Sequence, residues 1–151
     1  VSRVLGVDLG SRRIGVAVSD PEARVATPVG VRDRPADPDA LVDLVLAEAR
    51  RAGATRIVVG LPRSLAGHLG PAAAAVLDDV ERLRAAAGPG IAVDVCDERF
   101  TTVIAARGAG RRRGRRRRRP LDDTAATVML QSYLDAHRTG DGPGAVAREG
   151  P

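Results

Sequence analysis

The chain has 151 residues and a formal net charge of +5, and all 24 of its basic residues are arginine; the length suits one domain and would leave two independent ones without adequate cores. Eight arginines fall between Arg111 and Arg119, leaving 16 against 19 acidic residues elsewhere, so the body is slightly acidic and the basic balance belongs to one segment. A single cysteine excludes an intrachain disulfide and weighs against a Cys-based metal site, and no apolar run approaches the roughly 20 residues needed to cross a membrane.

With Phe100 and Tyr133 the only aromatic residues, the core must be filled by Val, Leu, Ile and Ala, which suits a sheet covered by helices. Val4 to Leu9 reads as a compact strand at the very start of the chain, without the layout of a signal peptide, so the cytoplasm is the expected location. A four-residue turn leads to a second strand, Ile14 to Ser19, and the pair reads as a hairpin. Val25 to Val31 is a third candidate, and Pro28 within it predicts a bulge or an edge position.

Leu41, Leu44, Val45 and Ala49 recur at helical spacing in a segment running from Asp39 to Ala52 and stopped by Gly53. Ile57, Val58 and Val59 mark a buried strand over Arg56 to Gly60, which breaks into a loop from Leu61 to Gly70, with Gly60, Leu61 and Pro62 read as a rigid turn. Pro71 opens the next helix and Gly88 to Gly90 ends it. Ile91, Val93 and Val95 form a further strand that places Cys96 at its end as a small buried residue. A short helix is expected over Thr101 to Arg107, a mobile basic loop over 108–120, a last helix over Asp122 to Ala136, and a disordered tail over 139–151. This order predicts a mixed sheet with helices on both faces, its last strands parallel to the first.

Three acidic positions stand out. Asp8 interrupts an apolar strand, where a carboxylate is costly unless a partner or cation compensates it; as a strand-end residue it also suits a cap for the Gly10 to Arg13 turn. Glu98 and Asp97 follow the strand that ends near Cys96, on the side of the sheet where open α/β folds place their sites. Asp122 and Asp123 begin the last helix, a position favoured for Asp whatever the function. Positions 122, 126, 129 and 133 share one helical face, so Asp122 points inward more than Asp123 does. Convergent carboxylates repel unless hard cations such as Mg²⁺ or Mn²⁺ intervene, and two such ions suit phosphodiester cleavage. His68 and His137 are too scattered for zinc and are expected to face solvent.

The segments DLGSRRIG (Asp8 to Gly15), VAVSDP (Val16 to Pro21), VGLP (Val59 to Pro62), DERFTT (Asp97 to Thr102) and DDTAATVMLQSYLD (Asp122 to Asp135) resemble the YqgF/RuvX family. That family is described both as Holliday junction resolvases and as nucleases acting on the 5′ end of pre-16S ribosomal RNA. The resemblance runs from about Val4 to Asp135. It implies a ribonuclease-H-like fold, a mixed five-stranded sheet flanked by helices, and one nuclease domain over 1–138. It also implies that Asp8, Glu98 and Asp122 are the catalytic, metal-binding carboxylates, selecting Glu98 over Asp97 and Asp122 over Asp123.

Nucleic-acid contacts are expected from Arg12, Arg13 and Arg99, and from Arg111, Arg112, Arg113, Arg115, Arg116, Arg117, Arg118 and Arg119, the last eight lying just before Asp122. Guanidiniums there suit phosphates and backbone shape, not base identity. The expected partners are structured RNA or branched DNA, ribosomal precursor particles and a second copy of the chain. The competing readings are a junction resolvase, a non-catalytic nucleic-acid or ribosome binder, and an actin-like ATPase or sugar kinase. The last is disfavoured because the length cannot supply two nucleotide-binding lobes.

Overall fold

The computed structural model describes residues 2–62, 70–97 and 125–138. In chain order these form β1 (Arg3–Leu9), β2 (Arg13–Ser19), β3 (Ala26–Asp33), α1 (Pro38–Ala52), β4 (Ala54–Leu61), α2 (Pro71–Ala87) and β5 (Ala92–Asp97), then helix α3, described over 125–138. The five strands make one sheet in the order β3-β2-β1-β4-β5. Strands β1 to β3 are antiparallel neighbours, while β4 is parallel to β1 and β5 to β4. The mixed sheet, its hairpin and its parallel second half are as the sequence led us to expect.

Local chemistry explains the element boundaries. Asp37 caps α1 by accepting a hydrogen bond from the Ala40 amide at 3.3 Å, with Pro38 in the first turn where its missing N–H costs nothing. Gly53 ends the helix in the left-handed region at φ 71°, its amide bonded to the Ala49 and Arg50 carbonyls. Pro28 sits in β3, an edge strand, where no neighbour demands its missing donor. Val16 pairs with Gly30 but Ala17 with Pro28, so Val29 is the extra residue of a bulge. The expected edge position and the expected bulge therefore both occur.

Strand alternation divides the core in two. Leu5, Val7, Ile14, Val16, Ile57, Val59 and Val93 face α1 and α2. Val4, Ala17, Val58 and Cys96 face α3, where they meet Ala126, Met129, Leu130 and Tyr133. Gly6 lies on the second face, and a Cβ built there would fall 2.8 Å from Leu130 Cβ, so α3 rests almost directly on the β1 backbone.

Other contacts fix the direction of α3. Cys96 Sγ lies 4.0 Å from the Met129 carbonyl, while near the helix C-terminus Tyr133, Leu134 and His137 share a cleft with Ser2 and Val4. The helix thus runs antiparallel to β1, its N-terminal end directed toward the C-terminal end of that strand.

Element ends differ from expectation by a residue or two, most consequentially at the end of β4. Gly60 and Leu61 do not form a turn: they continue β4 because β5 pairs with them, Gly60 opposite Cys96 and Leu61 opposite Asp97. Hydrophobicity falls at Gly60, but the backbone ladder does not require a side chain. The expected helix over Thr101 to Arg107, the basic loop 108–120, the start of the last helix, most of the Ser64 to Gly70 loop and the tail 139–151 lie outside the described residues.

Candidate active site

Asp8 is the penultimate residue of β1 and is half-buried. Its position on the α3 face follows from alternation with Val4 and Gly6. Its cross-strand partner on β2 is Gly15. On its other side Val7 pairs with Val59, which brings Gly60 level with Asp8 and Cys96 level with both. The carboxylate therefore stands between two residues without side chains, at the C-terminal edge of the parallel half of the sheet. Neither neighbour places a side chain beside it, and a carboxylate is the right donor for a hard cation. Only the register places Gly15 and Gly60 beside Asp8.

The same register separates Asp97 from Asp8. Asp97 lies opposite Leu61 and alternates with Val93 and Val95, which belong to the α1 and α2 side, so it occupies the face away from Asp8. Glu98, Arg99, Asp122, Asp123 and all eight arginines from Arg111 to Arg119 lie outside the described residues. Among the described residues no group of three His, Cys, Asp or Glu side chains comes together, and Asp8 is the proposed ligand whose place is given.

Arg12 and Arg13 are both exposed on the hairpin turn after Asp8. That turn is closed by the Gly10 amide donating to the Arg13 carbonyl at 2.9 Å. A Cβ at Gly10 would approach that carbonyl oxygen to 2.7 Å, so glycine is required by close approach.

A second polar cluster lies at the opposite end of the α3 face. Tyr133 Oη donates to Asp94 Oδ2 at 2.8 Å, and Arg56 Nη1 lies 3.4 Å from the same oxygen. Buried Tyr133 thereby finds the single polar partner expected for it. His137 is exposed, as expected, and stacks on Tyr133 with ring centroids 3.9 Å apart. A cleft of about 750 Å³ opens there, lined by Val4, Arg24, Arg56, Asp94, Tyr133 and His137 among others. It is the wrong place for the expected chemistry: from Val4 to Asp8 is four strand steps, roughly 13 Å.

Burial, and next to it the Asp94 carboxylate, push the Tyr133 phenol above its ordinary value near 10. A raised folded-state pKa favours the protonated form, so this contribution to stability is whole below pH 10 and is lost as the pH rises beyond it. Tyr133→Phe is expected to cost about 1 kcal/mol at neutral pH, since half-exposed Asp94 keeps Arg56 and water as partners. It should also flatten the alkaline limb of the stability curve, measured by urea unfolding from pH 8 to 11. An identical alkaline limb in both proteins would show that the Tyr133–Asp94 bond has no such role.

The family described as RuvX, Holliday junction resolvase, matches residues 2–136. A Kineococcus radiotolerans protein named "Putative pre-16S rRNA nuclease" is 44% identical over 144 residues, covering 94% of this chain and 76% of its own. A Nocardioides protein of the same name is 45% identical over 155 residues and 96% of each chain. Among solved structures, Thermus thermophilus RuvC in complex with a Holliday junction substrate superposes with a TM-score of 0.62 at 16% identity, covering 93% of this chain and 97% of that one. At that identity the likeness shows the fold, which is ribonuclease-H-like.

Proposed function

The chain belongs to the RuvX family, and from that premise we propose that it hydrolyses phosphodiester bonds of nucleic acid, with Asp8, Glu98 and Asp122 as the acidic residues of the site. The observation that carries this reading is the setting of Asp8, half-buried between Gly15 and Gly60 on the face that α3 covers. Two further features of the framework support the other members. Even-numbered residues of β5 face α3, so continued alternation would bring Glu98, not Asp97, to the face of Asp8. Asp122 stands four residues before Ala126 in the sequence, and Ala126 is roughly level with Asp8 if Leu130 sits over Gly6, since four helical residues rise about as far as two strand residues.

Mg²⁺ or Mn²⁺, in the number of two, is the cofactor that this oxygen donor set fits, and it would supply an activated water and charge neutralisation at the leaving oxygen. The chain's own residues do the rest. Asp8 supplies its carboxylate from the end of β1, beside two glycines that place no side chain against it, and exposed Arg12 and Arg13 lie on the adjoining turn. Arg99 and the eight arginines from Arg111 to Arg119 add phosphate contacts that hold the strand without reading its sequence.

The substrate we propose is the 5′ region of precursor 16S ribosomal RNA, because relatives at 44% and 45% identity carry that name over most of their length. A ribosomal precursor particle, a cytoplasmic location, a homodimer and a single nuclease domain over 1–138 with a tail beyond it complete the reading. No helix among the described residues is long and apolar enough to cross a membrane. Branched DNA is the second reading, favoured by the family's description. Purified protein given Mg²⁺ or Mn²⁺ should cut an RNA carrying the extended 5′ end of 16S RNA faster than a four-way DNA junction. Faster junction cleavage would reverse the order of the two substrates, and activity on neither would remove both.

A further inference from the structure

The turn after Asp8 is held from outside the hairpin. Arg34, the first residue beyond β3, donates its backbone amide to the Arg12 carbonyl at 2.9 Å and its Nη1 to the Gly10 carbonyl at 3.1 Å. Nη2 of the same guanidinium meets Asp79 Oδ2 on α2 at 3.0 Å. Asp79 is 5% exposed, and its other oxygen accepts from Arg82 Nη1 at 3.1 Å. Removing a carboxylate from water is expensive, and an apolar residue would cover that face of α2 at less cost. The geometry points to a purpose other than packing: a buried anchor that aims one planar cation at a turn carbonyl.

Arg32 offers an internal comparison. Two residues earlier on β3, its Nε meets buried Glu48 of α1 at 2.8 Å, with Arg51 a second partner of that carboxylate at 3.5 Å. The burial and chemistry are alike, but the Arg32 side chain makes no bond to the turn.

We propose that Arg34 is a positioning residue of the nuclease site. Anchored by Asp79, it fixes the Gly10 to Arg13 turn and through it the carboxylate of Asp8, two residues before Gly10, together with the outward course of Arg12 and Arg13. The role rests on the nuclease reading of Asp8. It needs a fork, because Nη1 and Nη2 serve acceptors on different elements, and a lysine ammonium offers one point in place of two.

The test uses the full chain as Arg34→Met, Asp79→Asn and Arg34→Lys, with Arg32→Met as the matched control. Steady-state RNA cleavage, thermal melting and amide exchange across the Gly10 to Arg13 turn are read for each. Arg34→Met and Asp79→Asn should lower kcat roughly tenfold to a hundredfold, as small misplacements of a site do. KM should rise by no more than about threefold, because Arg12 and Arg13 are two of many proposed phosphate contacts and the others do not depend on the turn. Exchange at the turn should rise, and Arg34→Lys should restore neither property. Arg32→Met should melt earlier and keep the wild-type kcat. Equal losses of kcat in Arg32→Met and Arg34→Met, or turn exchange unchanged in folded Arg34→Met, would overturn the proposal. If wild type cleaves no nucleic acid, the nuclease reading falls by itself, and turn exchange still upholds or overturns the clamp.

Discussion

Asp8→Asn should reduce metal-dependent cleavage by about a thousandfold or more while leaving the fold and nucleic-acid binding in place. The amide preserves the shape of the side chain between Gly15 and Gly60 but removes the charge that a hard cation needs. Charge stabilisation of this kind is worth several kcal/mol in the transition state, and each 1.36 kcal/mol or so is tenfold in rate. Stability should hold because the residue is half-buried at a strand end, so neutralising it breaks no core packing. Asp97→Asn is the natural control. It lies one step along the chain from Glu98, on the face of β5 away from Asp8, and should lose less than about threefold. Cleavage measured with RNA and DNA in parallel, beside binding in the absence of metal, separates chemistry from affinity. Full activity in Asp8→Asn, or cleavage by wild type without a divalent ion, would reject the mechanism.

The fold was legible because its signals are local. Val4 to Leu9, Ile14 to Ser19 and the run around Ile57 each announce a strand, and the helical spacing of Leu41, Leu44, Val45 and Ala49 with Gly53 as a stop announces α1. Pro28 even carried the edge and the bulge of β3, because a missing donor can be tolerated in few places. The site was less legible, because it depends on register. Nothing in the sequence says that Gly15 and Gly60 flank Asp8, or that Asp97 falls on the far face; both follow from three pairings among four strands. Leu61 was assigned to the loop for the same reason: Gly60 and Pro62 on either side end the hydrophobic run, and only the pairing with β5 reveals that the ladder continues. The Arg34 to Asp79 pair spans 45 residues and looks, in sequence, like two surface charges. Helix phase favours Asp122 over Asp123, and only the family motifs prefer Glu98 to Asp97.

Gly6 shows how closely the framework and the site are coupled. In Gly6→Ala the new methyl would stand 2.8 Å from Leu130 Cβ and 3.3 Å from Leu130 Cγ and Cδ2. A rotamer change relieves the contacts with Cγ and Cδ2, but Cβ is fixed to the helix backbone, so α3 itself must rise. Overpacking of this sort costs about 1–3 kcal/mol, partly offset by the entropy that a strand glycine loses on folding. Gly6→Val should cost about 3 kcal/mol, because its two further methyl groups press on buried Leu130 and Ala126. Gly90→Ala meets nothing within 4 Å and should change stability by less than about 0.5 kcal/mol, which makes it the control. The displacement of α3 will not be uniform. Its C-terminal half is tied by Tyr133 to Asp94 and by Gln131 to Ala26, so the N-terminal half, which leads back to Asp122, should move more. Cleavage by Gly6→Ala should therefore fall roughly tenfold even at temperatures where the protein is fully folded, as expected for a site misplaced by a fraction of an ångström. Urea unfolding and cleavage rates on the same samples would decide the matter. Wild-type turnover in a destabilised Gly6→Ala protein would mean that α3 does not carry a residue of the site.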